Sequence, residues 1–534
     1  MDISLRWPIK TIRHGLVSLV GGVRRTTRPS KMVTIIHRWC IGEPTLRSLQ
    51  RVATRAVSWR STGAIPDAMA NLKIRALWNG FWAEPWSFKW TCIYVFFEYV
   101  RPQQVYEVLQ GPPYARFCIA AAVLSFVVEG LQFRSKSVLN WLMLAFTAIV
   151  LLSSALASYP EVSFSKLNNY VNWIIAFVLI ANSASNERRW FLFILLFMLW
   201  NTKMSQHGFR SFLVGSWGNG GAPGWFRNSG EFALEMCLFI PIAFHFVVAL
   251  APRLSRNQFI VLAFLPLSAL LSVVASGSRG GQLALACVAM WMLLKSRRKV
   301  RGLVVLAVVA PLTWAAIPEW QKARFQSSGT DETSLARMAY WKAGREMAKD
   351  HPFFGVGYEN WVPYYSSNYA AQSGIVERYN VRGERVVEVS HNSFIEIMSQ
   401  LGYTGLAIFC ALLGAIWYVN ARTRRVLRHL GQRGRFVHHM SLGLDAGVVG
   451  FAVAGFFMAV AFYPFLWFQL AMTAGLHAAA LGIARETSAG LAPTPAPITS
   501  ARNSMAGWRN PHRRPGRAVY ASGRSAVDPR PQGT

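Results

Sequence analysis

Residues 231–256 read EFALEMCLFIPIAFHFVVALAPRLSR. The run stays apolar for about 20 residues, the length an α-helix needs to cross the hydrocarbon core of a bilayer, and it closes on Arg253 and Arg256. An apolar helix with a cationic close is read as a membrane span whose basic end stays on the cytoplasmic side. About twelve stretches of this kind recur along the chain, near 85–101, 115–132, 138–157, 167–184, 189–204, 231–251, 258–276, 280–296, 300–317, 394–420, 441–462 and 465–484. The expected fold is all-α, a polytopic transmembrane helical bundle.

The connections test that count. With the N-terminus in the cytoplasm, every second connection is cytoplasmic. These carry Arg134 and Lys136, then Arg188 and Arg189, then Arg253 and Arg256, then the run Lys295 to Arg301, then Arg422 to Arg435. All dense basic clusters fall on one side; one span more or fewer upstream would scatter them over both. Both chain ends are then cytoplasmic. The long connection 318–393 falls on the outer side, and there acidic and basic residues are about equal in number.

Composition agrees. Charged residues make up 15% of the chain and apolar ones 53%, with 21 Trp and 34 Phe, whereas a soluble domain carries about 25% charged residues. The net charge of +32 sits in short clusters beside apolar stretches, which suits anionic membrane lipids rather than nucleic acid. The cysteines at 40, 92, 118, 237, 287 and 410 show no paired spacing, so neither a disulfide framework nor a metal set is expected. Three regions follow: a basic N-terminal extension over 1–84, a membrane domain over 85–485 that includes the outer loop, and a Pro-, Ala- and Arg-rich tail over 486–534 read as disordered and cytoplasmic. No h-region of a signal peptide precedes the first span. Met69, which opens a short basic lead into that span, reads as an alternative start.

The candidate chemistry lies on the outer side. In DETSLARMAYWKAGREMAKDHPFFGVGYENW, residues 331–361, Asp331 or Thr333 caps a helix that Pro352 stops. Arg337, Trp341, Gly344 and Ala348 share one face of it, which makes Arg337 a cation on the inward face. An ordinary surface arginine paired with Glu332 is the competing reading. In SHNSFIEIMSQLGYTGL, residues 390–406, His391 stands at the membrane surface beside Asn392. An imidazole there is suited to take a proton from a hydroxyl; a helix cap is the alternative. Arg279 in ASGSRGGQLAL is a cation in a short outer turn, where the topology bias disfavours it unless it binds something or snorkels. Arg227 and Asn228 in GWFRNSGEFALEM also fall at the outer surface, with Glu231 as an available structural partner. Arginine forks grip phosphate oxygens without a divalent metal, and lipid-linked pyrophosphate sugars are the matching substrate class. Glu98, Glu129 and Asp445, scattered over different spans, are what a flippase or transporter would use instead.

SGSRGG, ARMAYWKAGREMAKDHPFFGVGYENW and HNSFIEIMSQLGYTGL, in this order and spacing, resemble the O-antigen ligase and O-antigen polymerase superfamily of bacterial envelope glycan transferases over roughly residues 85 to 485. The resemblance implies an inner-membrane enzyme with a large periplasmic loop, no cofactor, an undecaprenyl-pyrophosphate-linked glycan as donor, and a glycan or lipid A core as acceptor. It implies pyrophosphate-binding roles for Arg279 and Arg337 and an essential role for His391. Arg227 and Asn228 are weaker matches; Trp341 and Asn392 are candidates for substrate contact. Ligase, repeat-unit polymerase and protein O-oligosaccharyltransferase share this donor chemistry, so the acceptor stays open.

Overall fold

The computed structural model describes residues 64–216, 226, 228–370 and 389–490. Regular structure among these is helical throughout. The principal helices are α1 (Ile74–Trp82), α2 (Trp86–Tyr99), α3 (Tyr114–Val128), α4 (Val138–Ala155), α5 (Pro160–Ser183), α6 (Glu187–Leu213), α7 (Ser229–Leu250), α8 (Arg256–Ala275), α9 (Arg279–Lys295), α10 (Lys299–Ala316), α11 (Glu319–Gln326), α12 (Glu332–Asp350), α13 (Trp361–Asn368), α14 (Ser393–Val426), α15 (Arg435–Gly455) and α16 (Pro464–Ser488). Each span expected from the sequence overlaps one helix. Among the described residues, seven helices are long and apolar enough to cross a membrane: α4, α7, α8, α10, α14, α15 and α16.

Local signals set the helix starts. Ser137, Asn186, Asn228, Ser255, Ser278, Asp331 and Asn392 each accept backbone amides of the first turn, and Ser255 completes a capping box with Gln258. Pro160 and Pro464 open α5 and α16, where the missing amide hydrogen costs nothing.

α7 lies at the centre, packed on α8, α9 and α15, and most of its side chains are buried. Its contact with α15 depends on a row of small residues. A Cβ on Gly443 would come within 3.0 Å of the Ile242 Cα, and one on Gly450 within 2.9 Å of the Cys237 carbonyl oxygen. Close backbone approach of this kind replaces the hydrophobic driving force that lipid cannot supply. α10 is the opposite case, with none of its residues buried.

Three features differ from the sequence reading. The span expected at 441–462 begins earlier and stops at Gly455, so 456–463 is a connection rather than helix. α14 is broken at Gly402, whose φ of 71° leaves the helical region. The last part of the expected N-terminal extension forms α1, with Ile74, Trp78 and Trp82 exposed, as suits a helix in the interfacial layer. The remainder of that extension, from residue 63 back, and the tail beyond 490 lie outside the described residues.

If the glycine row sets the α7–α15 contact, Gly450→Leu will cost about 3 kcal/mol through overpacking. Gly414→Leu, at a position with nothing within 4 Å of a new Cβ, will cost almost nothing. Melting temperatures of the two purified variants in detergent check this; equal temperatures would refute it.

Candidate functional site

The connections sort into two groups by what they touch. In one group, Arg188 and Arg189 pair with Glu84 at 2.5 and 2.7 Å, Arg433 pairs with Glu187, Arg253 lies 3.4 Å from Asp67, and Arg435 donates to the Val248 and Ala249 carbonyls. This is the basic end of the bundle. The other end gathers the connection after α4, the start of α7, the α8–α9 turn, the described residues between α10 and α14, and residues 456–463. Arg279, Arg337 and His391 all belong to this second group.

Residues 456–463, FFMAVAFY, form its floor. Val460 and Ala461 are completely buried, so their backbone groups need partners inside the protein. Ser393 supplies two, its Oγ donating to the Met458 carbonyl at 2.7 Å and accepting from the Val460 amide at 3.1 Å. The Glu396 carboxylate accepts from the Ala461 amide at 3.2 Å. Phe456 meets Trp341 of α12 edge to face, with centroids 5.1 Å apart. Phe457 lies so close to Gly280 that a Cβ there would come within 2.9 Å of its side chain, and Met458 excludes one at Gly230. The Tyr463 hydroxyl donates to Glu231 at 3.3 Å.

Above this floor, α12 is fixed at two points. Its cap, Asp331, takes both prongs of the Arg279 guanidinium, at 2.8 Å from Nη1 and 3.2 Å from Nη2. Nη1 also donates to the Arg324 carbonyl at 2.6 Å and the Ser328 hydroxyl at 3.0 Å. Arg279 occupies the first turn of α9, where a cation opposes the helix dipole, and the Asp331 carboxylate offsets that. Nearly three turns further along α12, the Trp341 indole donates to the Ser390 carbonyl at 3.1 Å. Tyr340 brings its ring to 6.4 Å from the imidazole of His391. Arg337 is half-buried one turn before Tyr340 and Trp341, on the stretch of α12 between its tie to Arg279 and its tie to His391.

His391 has φ of 49°, an unusual conformation for a residue with a Cβ. The next residue explains it. Asn392 is buried and caps α14, its Oδ1 accepting from the Phe394 and Ile395 amides. The chain therefore turns sharply at 391. Asn228 is similarly engaged, capping α7 and donating to Glu231 at 3.2 Å. Arg227 lies outside the described residues.

The Gly355–Gly357 turn is a close-packing device. A Cβ on Gly355 would sit 2.3 Å from the Gln400 carbonyl carbon, and one on Gly357 2.3 Å from the Ala157 Cβ. The Val356 and Gly357 amides donate to the Ser399 and Gln400 carbonyls, while Tyr403, just past the break in α14, donates to Pro352 at 2.8 Å. Asn360, fully buried, accepts from the Tyr159 amide at 2.7 Å and donates to Ser163 at 2.8 Å. Neither Asn360, Ser393, Glu396 nor residues 456–463 were singled out by the sequence reading.

A bundle that is all-helical among the described residues, with seven helices there able to cross a membrane and a polar cluster gathered at one end, defines a polytopic membrane protein. Residues 262–410 match a family model described as O-antigen ligase. The matched segment contains Arg279, Arg337, Trp341, His391 and Asn392, so over residues 262–410 the chain is similar to the O-antigen ligase family. No curated protein matches the chain.

The hydrogen bonds from Arg279, Thr333 and Ser334 hold the Asp331 carboxyl well below the ordinary aspartate range. Its folded-state value lies below the unfolded one, so its contribution is complete above about pH 4 and is lost as the pH falls further. The pair is partly exposed, which limits that contribution to about 1 kcal/mol. Asp331→Asn should therefore speed hydrogen exchange at the α11–α12 junction about fivefold at neutral pH. In the parent protein, the protection factor at that junction, taken relative to the intrinsic exchange rate at each pH, should fall towards the variant's on acidification; a variant that exchanges like the parent would show that the pair holds nothing.

Proposed function

We propose that the protein transfers a glycan from an undecaprenyl-pyrophosphate carrier to an acceptor hydroxyl at the periplasmic face of the bacterial inner membrane, in the manner of an O-antigen ligase. The observation that carries this reading is the double anchoring of α12: one helix holds Arg337 between its tie to Arg279 and its tie to the His391 turn. Such a cluster can act on both sides of one scissile bond. In this mechanism the His391 imidazole takes the proton of the acceptor hydroxyl, and the freed oxygen attacks the anomeric carbon with inversion. The bond from that carbon to the pyrophosphate oxygen breaks, and its electron pair leaves with the diphosphate. Arg337 and Arg279 stabilise the charge that develops there. Asp331, Ser328 and Arg324 orient Arg279 through its two Nη atoms, and Nε–H is the donor assigned to the leaving group.

A lipid A core oligosaccharide is the proposed acceptor. In a repeat-unit polymerase a lipid-linked glycan would take its place, and in a protein O-oligosaccharyltransferase a protein hydroxyl would. The transport alternative loses support from its own residues. Glu98 pairs with Arg101 at 2.9 Å, Glu129 accepts from the Ser87 amide at 3.1 Å, and Asp445 pairs with Arg424 at 2.8 Å, so each answers a local partner.

The reading is tested with purified protein, lipid-linked donor and core acceptor. His391→Ala should lower transfer at least about 100-fold with membrane insertion intact. Arg337→Lys should also fail, because an ammonium lacks the planar two-point contact, and chelator should leave the rate unchanged. Full activity of the His391 variant, or strong inhibition by chelator, would overturn the mechanism. Export of donor with no glycosidic product would overturn the enzyme reading itself. In a deletion strain, long unattached lipid-linked chains indicate ligation, and single repeat units indicate polymerisation.

A further inference from the structure

The basic end of the bundle holds a second polar cluster that glycan transfer does not use. Where α9 turns into α10, residues Ser296 to Arg301 line an open depression of about 650 Å³. Among the described residues, no carboxylate pairs with Arg297, Arg298, Lys299 or Arg301. Beyond it, Arg297 lies within electrostatic reach of His438 and His439 at the start of α15, as do Arg435 and, for His438, Arg424. The His439 ring stands 5.7 Å from that of His438 and 5.8 Å from that of His245 on α7. The buried Nδ1 atoms of His245 and His439 have no hydrogen-bond partner. Asp445, further along α15, is held by Arg424 at 2.8 Å and Asn420 at 2.9 Å.

Two features set the level of this basin relative to lipid. Lys295 places its ammonium 4.8 Å from the centre of the Trp291 ring, which packs on Trp417 at 5.6 Å. Tryptophan and lysine together mark the headgroup layer. α10 then runs away from the turn with Val304, Val308 and Leu312 all exposed. Cations thus sit at one end of a bare apolar surface, which is the complement of a phospholipid and not of a free ion.

We propose that the α9–α10 turn and the start of α15 form a binding site for an anionic phospholipid, its phosphate in the basin and its acyl chains along α10. The ligand class is a phosphodiester lipid without a neutralising amine, such as phosphatidylglycerol. Arg297 and Arg298 supply forks for the phosphate oxygens, and the half-exposed His438 beside Arg297 supplies a further ring N–H donor.

Native mass spectrometry of the full chain in neutral detergent tests this with phosphatidylglycerol, phosphatidylcholine and inorganic phosphate as separate probes. Phosphatidylglycerol should be retained over phosphatidylcholine. Arg297→Gln combined with Arg298→Gln should weaken it about 30-fold at an unchanged melting temperature, since both lie on an open turn. His438→Gln with His439→Gln should weaken it too, whereas Arg345→Gln with Lys349→Gln, removing the same charge from α12, should not. Equal retention of phosphatidylcholine, or an equal loss from the α12 pair, would overturn the site. Inorganic phosphate displacing the lipid at equal concentration would overturn the assignment to lipid.

Discussion

Everything at the outer-facing end, as we assign it, depends on a stretch of non-helical chain buried inside a helical bundle. Backbone amides without helix partners cannot be left dry, because each one unsatisfied costs about 1 to 3 kcal/mol. Residues 456–463 meet that constraint by borrowing side chains from the start of α14: Ser393 spans the Met458 carbonyl and the Val460 amide, and Glu396 takes the Ala461 amide. This arrangement fixes where α14 begins. The turn carrying His391 therefore stands where the floor requires it, and Asn392, capping the helix from within, leaves His391 to absorb the bend.

The same floor positions α12. Phe456 holds Trp341 from below, and the Trp341 indole holds the Ser390 carbonyl, so Ser390 and the helix carrying Arg337 are set by one aromatic contact and one hydrogen bond. At its other end α12 is held by Arg279 through Asp331, across 52 residues of sequence. The charge on Arg279 thus has a structural partner and a proposed catalytic one. The two uses are compatible because the guanidinium is a fork with five donors, of which the Arg324 carbonyl, Ser328 and Asp331 engage those on the Nη atoms.

How much of this could be read beforehand follows from the range of each signal. The helices were legible because apolar length and caps are local: α12 begins at Asp331 and ends before Pro352, as its sequence states. The gathering of Arg279, Arg337 and His391 at one end was legible through loop charge, which counts side rather than contact. The Arg279–Asp331 pair was not, since both residues have adequate local readings as turn cation and cap. FFMAVAFY read as more helix because its composition is that of a span; only the buried carbonyls and amides reveal a connection, and these have no signature in side chains. The break at Gly402 has the same origin. Its glycine is required by the Phe353 backbone crossing there, where a Cβ would stand 2.5 Å from the Phe353 carbonyl carbon.

The central claim is that Arg279, Arg337 and His391 share one face of the membrane and the basic turns share the other. The most direct measurement is labelling of single cysteines at 279, 337, 391 and 297, in a background without the native cysteines, by a membrane-impermeant maleimide applied to intact spheroplasts and to lysed ones. The account predicts that the first three react in intact spheroplasts and that position 297 reacts only after lysis. Reaction of any of the first three only after lysis, or of position 297 before it, would contradict the account.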